Sequence, residues 1–395
     1  MFDAADRRYM KKALLLGERG TGRSSPNPSV GCVIVRDGRV VGRGWHEYAL
    51  RDHAEVRALR MAGELAAGSE VYVTLEPCCH EGRTPPCADA LVRAGVRRVV
   101  AARPDPNPVV SGRGVERLRS AGIRVDVGLC AEEAGRLIEP FARHVSSGYP
   151  LVVSKVGMTL DGKIGTGSAE GRAISSPEGL EFGQRLRLGC DAVMVGVGTL
   201  LADDPALTYR GGRSRGRPLL RAILDSRLRT PPGSRLLRVA PESPVLLFCG
   251  PDAPEASRRE LERAGAEIVA VPRCGTGLDL EAVLRELGAR NILAVLVEGG
   301  SCIHRAFLEA GKVDVFHFIV APLVLGGGTA VPVVGGRGYG STAEALRFRI
   351  RRTLRAGPDV VLEAYPECSR SIISPWLGGS APFPAPGSRT PSGPK

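Results

Sequence analysis

The sequence predicts two consecutive α/β domains followed by a C-terminal tail. Its 395 residues are enough for two domains of ordinary size. Strand and helix signals alternate along the first half, and the alternation restarts near residue 150. From Glu367 onward the composition shifts to serine, proline and glycine, which bury too little apolar surface to order a chain. We therefore predict domains over residues 1–146 and 150–366 and a disordered tail over residues 367–395.

The elements of the first domain follow one another as a helix, a hairpin and βα units. An amphipathic helix is predicted over residues 7–16, and two strand-like runs over 30–35 and 39–45 flank a turn at Arg36-Asp37-Gly38. Further strands are predicted over residues 71–75, 96–102 and 123–127, with helices over 53–61, 88–94 and 115–121. This order predicts a three-layer α/β sandwich.

The second domain begins after a Ser-Ser-Gly-Tyr-Pro stretch at residues 146–150, which is typical of a boundary. Apolar runs of strand length then recur between helical segments, and this alternation again predicts an α/β domain. The predicted strands cover residues 151–156, 192–195, 221–224, 245–248, 268–271, 292–297, 313–320 and 360–365.

Composition limits the possible partners without choosing one. The net charge is +12, and arginine supplies most of the basic residues. Arginine binds phosphate groups well, which suits a phosphorylated small molecule, a dinucleotide or nucleic acid. No apolar run approaches the ~18 residues that span a bilayer, and the N-terminus lacks the layout of a signal peptide. We expect a soluble cytoplasmic protein with no membrane partner, whose ten cysteines are metal ligands or packing residues.

A zinc-deaminase pattern lies in the first domain. His53-Ala54-Glu55 is followed by Pro77-Cys78 and then Cys87, in the H-x-E, P-C, C order of zinc deaminases. Catalytic zinc takes three protein ligands and leaves a position for water; His53, Cys78 and Cys87 are the predicted ligands. Glu55 is the predicted catalytic residue, which moves a proton from water to the departing nitrogen.

Other interpretations of these residues stay open. Asp52 and Glu55 also fit a capping box that would serve only the start of a helix. Cys79 and His80 are alternative ligands, and they would make the site closed and structural. Pro86 is predicted as the first residue of the next helix, which would place Cys87 in its opening turn, where a thiolate is favoured.

The second domain has no complete G-x-G-x-x-G or phosphate-binding-loop motif. The candidate nucleotide site is residues 297–301, Val-Glu-Gly-Gly-Ser, where a predicted strand runs through two glycines into a helix. Free N–H groups at such a helix start can hold a phosphate. An ordinary strand-to-helix turn is the alternative.

These motifs together resemble one family over about residues 1–366. The sequence is similar to the bifunctional riboflavin-biosynthesis deaminase/reductases of bacteria. The Gly-Arg-Thr-Pro-Pro-Cys segment at residues 82–87 is the most diagnostic, because cytidine and tRNA-adenosine deaminases keep C-x-x-C. The other matching segments are residues 27–33, 53–56, 76–78, 105–108, 155–163, 196–199, 203–208, 225–226 and 298–300.

The resemblance implies a cytidine-deaminase-like three-layer α/β/α domain followed by a dihydrofolate-reductase-like α/β domain. It implies Zn²⁺ and NADPH as cofactors, and a phosphorylated pyrimidine that is first deaminated and then reduced at its ribosyl chain. It also leads us to expect a homo-oligomer with no nucleic-acid partner.

The resemblance further assigns residues to each site. NADPH would contact Gly157, Thr199, Asp203, Ser226, Gly300, Ser301, Cys302, Ile303, His304, Arg305 and Ala306. The pyrimidine substrates would contact Asn27 and Arg83 in the first domain. In the second domain they would contact Lys163, Arg187, Leu207, Arg210 and Glu298.

One departure from the family keeps alternatives open. Gly171 and Ala173 stand where the family usually has a serine and a tryptophan. A deaminase with a degenerate second half is therefore one alternative. A nucleic-acid deaminase and a non-enzymatic zinc module fused to a nucleotide-binding domain are the others.

Overall fold

The computed structural model describes residues 2–81, 84–108, 110–166, 174–275 and 277–367. They divide into two compact units. The first comprises the described residues up to Gly20 together with Pro28–Ala142, and the second comprises Thr21–Asn27 and the described residues from Arg143 onward. The predicted tail lies outside the described residues except for Glu367.

The first unit is built on a five-stranded sheet in the order β2-β1-β3-β4-β5. The predicted hairpin forms the antiparallel pair β1–β2, β1 is also antiparallel to β3, and β3, β4 and β5 are parallel. The strands are β1 Gly31–Arg36, β2 Arg39–Trp45, β3 Glu70–Val73, β4 Arg98–Ala101 and β5 Arg124–Val127.

Helices cover both faces of this sheet. Along β1, Cys32 and Ile34 point into a core with α2, α3 and α4, whereas Val33 and Val35 point into a core with α1 and α5. This alternation is the period of two expected of a strand that is buried on both faces, and it confirms the three-layer sandwich. The helices are α1 Ala4–Arg19, α2 Ala54–Ala62, α3 Cys87–Arg93, α4 Arg113–Ser120 and α5 Ala131–Leu137. A further helix, α6 Glu139–Ser147, contains the boundary between Ala142 and Arg143.

Two glycines of β2 let α2 lie directly on the sheet. A Cβ atom at Gly44 would stand 2.0 Å from the carbonyl oxygen of Ala54, and one at Gly42 would stand 2.3 Å from that of Ala58. Any larger residue there would push the helix away. The close approach fixes the start of α2, which carries His53 and Glu55.

The second unit contains a nine-stranded sheet in the order β11-β10-β9-β8-β14-β6-β15-β18-β17. In this order, neighbouring strands are parallel from β11 across the sheet to β15. Strand β18 then pairs antiparallel with β15, and β17 pairs antiparallel with β18. They are β6 Leu151–Thr159, β8 Ala192–Gly196, β9 Leu220–Leu224, β10 Val245–Cys249, β11 Glu267–Ala270, β14 Ala294–Glu298, β15 Val315–Ala321, β17 Phe348–Ala356 and β18 Asp359–Pro366. Two small sheets pair β7 Lys163–Gly165 with β16 Val331–Pro332, and β12 Arg273–Cys274 with β13 Gly277–Leu278.

Helices also lie on both faces of the large sheet. One apolar core includes α11 and α12, a second includes α8, α9 and α10, and a smaller one holds Phe182 of α7 against Ile319 and Val361. The helices are α7 Pro177–Gly189, α8 Val197–Asp203, α9 Arg235–Arg238, α10 Glu255–Arg263, α11 Leu280–Ala289 and α12 Ser301–Glu309. Among the described residues, the helices are all too short or too polar to cross a membrane.

Candidate active sites

Three side chains from separate elements meet in the first unit. His53 immediately precedes α2, Cys78 lies in the loop after β3, and Cys87 opens α3. Their ligand atoms all lie within 4.8 Å of one another, with His53 Nδ1 3.1 Å from Cys87 Sγ and 3.5 Å from Cys78 Sγ. In the described part of the chain this is the one such group of three or more possible ligands. One imidazole and two thiols match the donor set of catalytic zinc.

The start of α2 differs from a capping box. Its N-cap is His53, without a side-chain capping hydrogen bond. The Asp52 carboxylate instead lies 2.7 Å from the Arg60 guanidinium. The capping-box interpretation is therefore wrong, because Asp52 does not cap α2. Pro86 is likewise the N-cap of α3 rather than its first residue, although Cys87 does occupy the opening turn.

The two cysteines interact with each other directly. The backbone N–H of Cys87 donates to Cys78 Sγ at 3.3 Å. The Cys87 side chain and the His53 imidazole lower the pKa of the Cys78 thiol against the effect of burial. A thiolate is the form that binds zinc. The fold therefore prepares Cys78 as an anionic ligand.

Glu55 lies beside this cluster as the second residue of α2 and is only 4% exposed. Burial raises the pKa of Glu55 to about 7, although the His53 charge lowers it. A carboxyl group with such a pKa can accept and return a proton near neutral pH. Cys79 is half-buried and His80 is exposed, and neither belongs to the ligand cluster found among the described residues.

Glu76 holds the loop that carries Cys78. Its buried carboxylate accepts the backbone N–H groups of Asp105 at 3.0 Å, Gly112 at 2.9 Å and Val115 at 3.1 Å. These bonds fasten the start of α4 to the Glu76-Pro77-Cys78 segment. A buried carboxylate is stable when several N–H groups satisfy it.

Of the two residues that the resemblance places in the pyrimidine pocket, the structure describes only Asn27. Asn27 is half-buried, and its backbone N–H donates to the Ser24 carbonyl at 2.9 Å. Arg83 lies outside the described residues, as do Gly171 and Ala173.

The second unit contains a cavity of about 500 Å³. It lies at the carboxyl ends of β8 and β14 beside β6, which is where open α/β sheets bind their ligands. Ten residues expected to contact cofactor or substrate line it, namely Gly157, Thr199, Asp203, Gly300, Ser301, Cys302, Ile303, Arg187, Leu207 and Glu298.

Six other expected residues do not line this cavity, namely Ser226, His304, Arg305, Ala306, Lys163 and Arg210. His304 lies on the face of α12 that packs into the core, because successive residues of a helix point in different directions. It is fully buried, and its Nδ1 lies 3.1 Å from Ser154 Oγ. Lys163 lies on β7 and Arg210 is exposed. The resemblance assigned the segment from Gly300 to Ala306 as a block, whereas the helix presents only its first residues to the cavity.

The start of α12 forms a cradle that could take an anion. Gly300 donates its backbone N–H to Thr199 Oγ1 at 3.0 Å, and no side chain caps the helix. Gly299 has a φ of +156°, and a Cβ there would stand 3.1 Å from the side chains of Ile303 and Thr199. An uncapped helix start with glycines before it is suited to a phosphate.

A charged triad forms another wall of the cavity. Arg187 binds the Glu298 carboxylate through Nε at 3.1 Å and Nη2 at 2.5 Å, and Lys155 Nζ lies 3.7 Å from the same carboxylate. Burial would raise the pKa of Glu298, but Lys155 and Arg187 hold it at about 2. The triad therefore carries a net positive charge. Sequence reasoning missed Lys155, although a lysine inside an otherwise apolar strand was a usable signal.

Two family models match this chain. Residues 3–103 match the cytidine and deoxycytidylate deaminase zinc-binding region, and residues 150–362 match the RibD C-terminal domain. Both matches fall on the units that hold the two sites.

Relatives match over nearly the whole length. The riboflavin biosynthesis protein RibD of Aquifex aeolicus is 40% identical over 92% of this chain and 99% of its own, and that of Escherichia coli is 40% identical over 90% and 98%. A solved RibD from Acinetobacter baumannii is 37% identical with a TM-score of 0.81. A solved diaminohydroxyphosphoribosylaminopyrimidine deaminase/5-amino-6-(5-phosphoribosylamino)uracil reductase from Thermotoga maritima is 34% identical with a TM-score of 0.78. Each structure covers 92% of this chain and 99% of its own.

Proposed function

This chain belongs to the RibD family of riboflavin-biosynthesis proteins, and from that premise we propose that it catalyses two successive reactions. The first unit deaminates 2,5-diamino-6-(ribosylamino)-4(3H)-pyrimidinone 5'-phosphate. The second unit reduces the ribosyl chain of the product to give 5-amino-6-(ribitylamino)uracil 5'-phosphate. The cofactors are Zn²⁺ for the deaminase and NADPH for the reductase.

The deaminase proposal is carried by the meeting of His53, Cys78 and Cys87 beside a buried carboxyl group. These three residues would hold the zinc ion. When bound, zinc supplies the Lewis acidity that makes water reactive near neutral pH. Glu55 takes the proton from the attacking water and delivers it to the nitrogen that leaves as ammonia.

The reductase proposal rests on the lined cavity of the second unit. Gly157, Thr199, Asp203 and the first residues of α12 would bind NADPH, which supplies the hydride. Arg187, Leu207 and Glu298 would contact the ribosyl phosphate substrate, and we add Lys155 to this group because its ammonium lies beside the Glu298 carboxylate. Asn27, Arg83, Lys163, Arg210, Ser226, His304, Arg305 and Ala306 stay predictions from the resemblance alone.

The alternatives lose support for specific reasons. A nucleic-acid deaminase does not need the second unit, yet the family relatives match both units over almost the whole chain. A degenerate reductase would not need Arg187 and Lys155 placed on the buried Glu298 carboxylate in the wall of an open cavity. A non-enzymatic zinc module would need a fourth protein ligand, and among the described residues the cluster contains three.

We further propose a reducing, cytoplasmic setting and a homo-oligomeric state. The cysteines of the described residues are all free, which suits a reducing compartment. Leu160 and Val324 are 65% and 67% exposed on loops joined by the Leu160 N–H to Leu323 carbonyl bond. A contiguous apolar patch would suit an interface between subunits, and the homo-oligomeric state otherwise rests on the resemblance to the family.

Zinc removal separates the two reactions. After treatment with a chelator, we expect release of ammonia from the diaminopyrimidinone to stop and to return when Zn²⁺ is added. Oxidation of NADPH with the already deaminated pyrimidine should continue at the untreated rate, because its cavity holds no part of the metal cluster. Ammonia release that survives complete loss of zinc would contradict the deaminase proposal.

A further inference from the structure

Arg215 is a partly buried arginine in a loop of exposed residues. The loop runs from Arg210 to Arg217, and Ser214 and Gly216 on either side of Arg215 are exposed. The Arg215 guanidinium donates to the Arg217 carbonyl of its own loop at 3.3 Å and to three backbone carbonyl groups outside the loop, those of Arg187, of Leu188 at 3.1 Å and of Cys190 at 2.7 Å. One side chain therefore fastens this loop to another element.

The three carbonyl groups lie at the end of α7. The last carbonyls of a helix lack partners within the helix, and a positive charge near them is favoured by the helix dipole. Arg215 supplies both donors and charge to this end. It thereby fixes the last turn of α7, which carries Arg187.

The contact is reciprocal. The Arg187 side chain donates through Nη1 to the Thr208 carbonyl at 2.6 Å, just before the loop that holds Arg215. The Arg210 N–H donates to Gln184 Oε1 of α7 at 2.8 Å, a further bond between the same two segments. We call Arg187 and Arg215 together the arginine clasp.

Of the two arginines of the clasp, Arg187 lines the cavity and Arg215 does not. Arg187 uses one N–H on Thr208 and two on Glu298, and an arginine has five. Two N–H groups remain for an anion. Pro205 and Leu207 line the cavity immediately before Thr208. The N–H cradle at the start of α12 is held instead by the Gly300–Thr199 bond, to which the clasp contributes nothing.

We propose that Arg215 is a positioning residue for the substrate end of the reductase cavity. It does not reach the ligand; it sets Arg187 and the segment from Pro205 to Arg210 so that they meet the phosphate of the sugar. The inference rests on the proposed reductase function of this cavity. It predicts that loss of Arg215 weakens binding of a sugar phosphate and leaves binding of NADPH unchanged.

Three variants of the full-length chain test this. Arg215→Met removes the charge and the donors while keeping the length of the side chain, and Arg215→Lys keeps the charge but not the fork of donors. Arg217→Met is the matched control, because Arg217 lies two positions away and its guanidinium donates to the Asn291 carbonyl at 3.2 Å. The probes are ribose 5-phosphate, measured by titration calorimetry, and NADPH, measured by its fluorescence. NADPH binding reports that the second unit is folded, and ammonia release reports the same for the first unit.

For Arg215→Met we expect about 10- to 100-fold weaker binding of ribose 5-phosphate and a matching rise in KM for the deaminated pyrimidine, since small misplacements of binding groups have effects of this order. Arg215→Lys should be intermediate, and Arg217→Met should match the unsubstituted chain. NADPH affinity should stay within about twofold in all three.

Unchanged ribose 5-phosphate binding in Arg215→Met would overturn the inference. An equal loss of NADPH binding would overturn it too, because that would show a general structural role. A chain that binds ribose 5-phosphate through the clasp but does not oxidise NADPH with the pyrimidine would contradict the reductase proposal and leave the clasp standing.

Discussion

At the scale of single residues, the deaminase site depends on which thiols hold the metal. Cys78 and Cys87 both reach the His53 imidazole, whereas the half-buried Cys79 directly after Cys78 does not join the cluster. Neighbouring cysteines thus differ in chemistry because the loop turns one thiol toward the imidazole.

A pair of serine variants checks this difference. We expect Cys87→Ser to lose zinc after dialysis, because a hydroxyl is a far weaker ligand than a thiolate. Cys79→Ser should keep one zinc ion per chain and its ammonia release. Metal content is measured by atomic absorption on the purified full-length variants. The reverse pattern, with zinc lost only from Cys79→Ser, would move the site to the other thiol.

The site residues that the sequence predicts belong to a motif with a fixed order and spacing along the chain. His53, Glu55, Cys78 and Cys87 stand in an ordered motif, so the sequence predicts a cluster before any fold is known. Lys155 lies alone in a strand, and Arg215 is one of several arginines in a polar loop. The partner of Lys155 is Glu298, which lies more than a hundred residues away in the sequence. The partners of Arg215 are carbonyl groups at the end of α7, more than twenty residues away. A contact of that kind leaves no local pattern.

At the scale of elements, one arginine joins four parts of the first unit. Arg98 on β4 binds Asp6 of α1 at 2.8 Å and Asp126 of β5 at 2.7 Å, and it lies 3.3 Å from Glu70 of β3. Its side chain is 13% exposed and that of Asp6 is 5% exposed. The carboxylates would repel one another without this cation.

Arg98→Met should therefore destabilise the first unit by about 3–5 kcal/mol, the usual effect of breaking a buried ion pair. The measurement is the urea concentration that halves ammonia release, compared with the concentration that halves NADPH oxidation by the same chain. We expect the urea concentration that halves ammonia release to fall, and the concentration that halves NADPH oxidation to stay unchanged. Equal shifts in both, or no shift in the first, would contradict the assignment of this cluster to the stability of the first unit.

Strands could be predicted from the sequence where burial requires a recognisable pattern of apolar residues. The eight strands expected in the second unit all form, because each is an apolar run between turns. Strand β17 was missed, since four of its nine residues are arginines and most of its side chains are exposed at the edge of the sheet. The short pair β7 and β16 was also missed, because two or three residues carry no detectable period.

At the scale of the whole molecule, the two units supply two chemistries in one chain. The first offers a metal cluster with a buried acid–base group, and the second offers an N–H cradle and a positive triad in a cavity. Removing an amine and reducing a sugar need different environments, and the fold provides each on its own sheet. The domain limits at residues 1–146 and 150–366 remain predictions that truncated chains can examine.

The central claim is that one chain performs both steps on one pyrimidine. Mass spectrometry of the products from the diaminopyrimidinone ribosyl phosphate tests it most directly, with Glu55→Gln as the matched control. Without NADPH, the unsubstituted chain should yield only the compound in which oxygen replaces the amine. With NADPH, it should yield the same compound carrying two more hydrogens, and Glu55→Gln should leave the amine in place in both cases. A deaminated product from Glu55→Gln at the normal rate, or no gain of hydrogen with NADPH, would contradict the account.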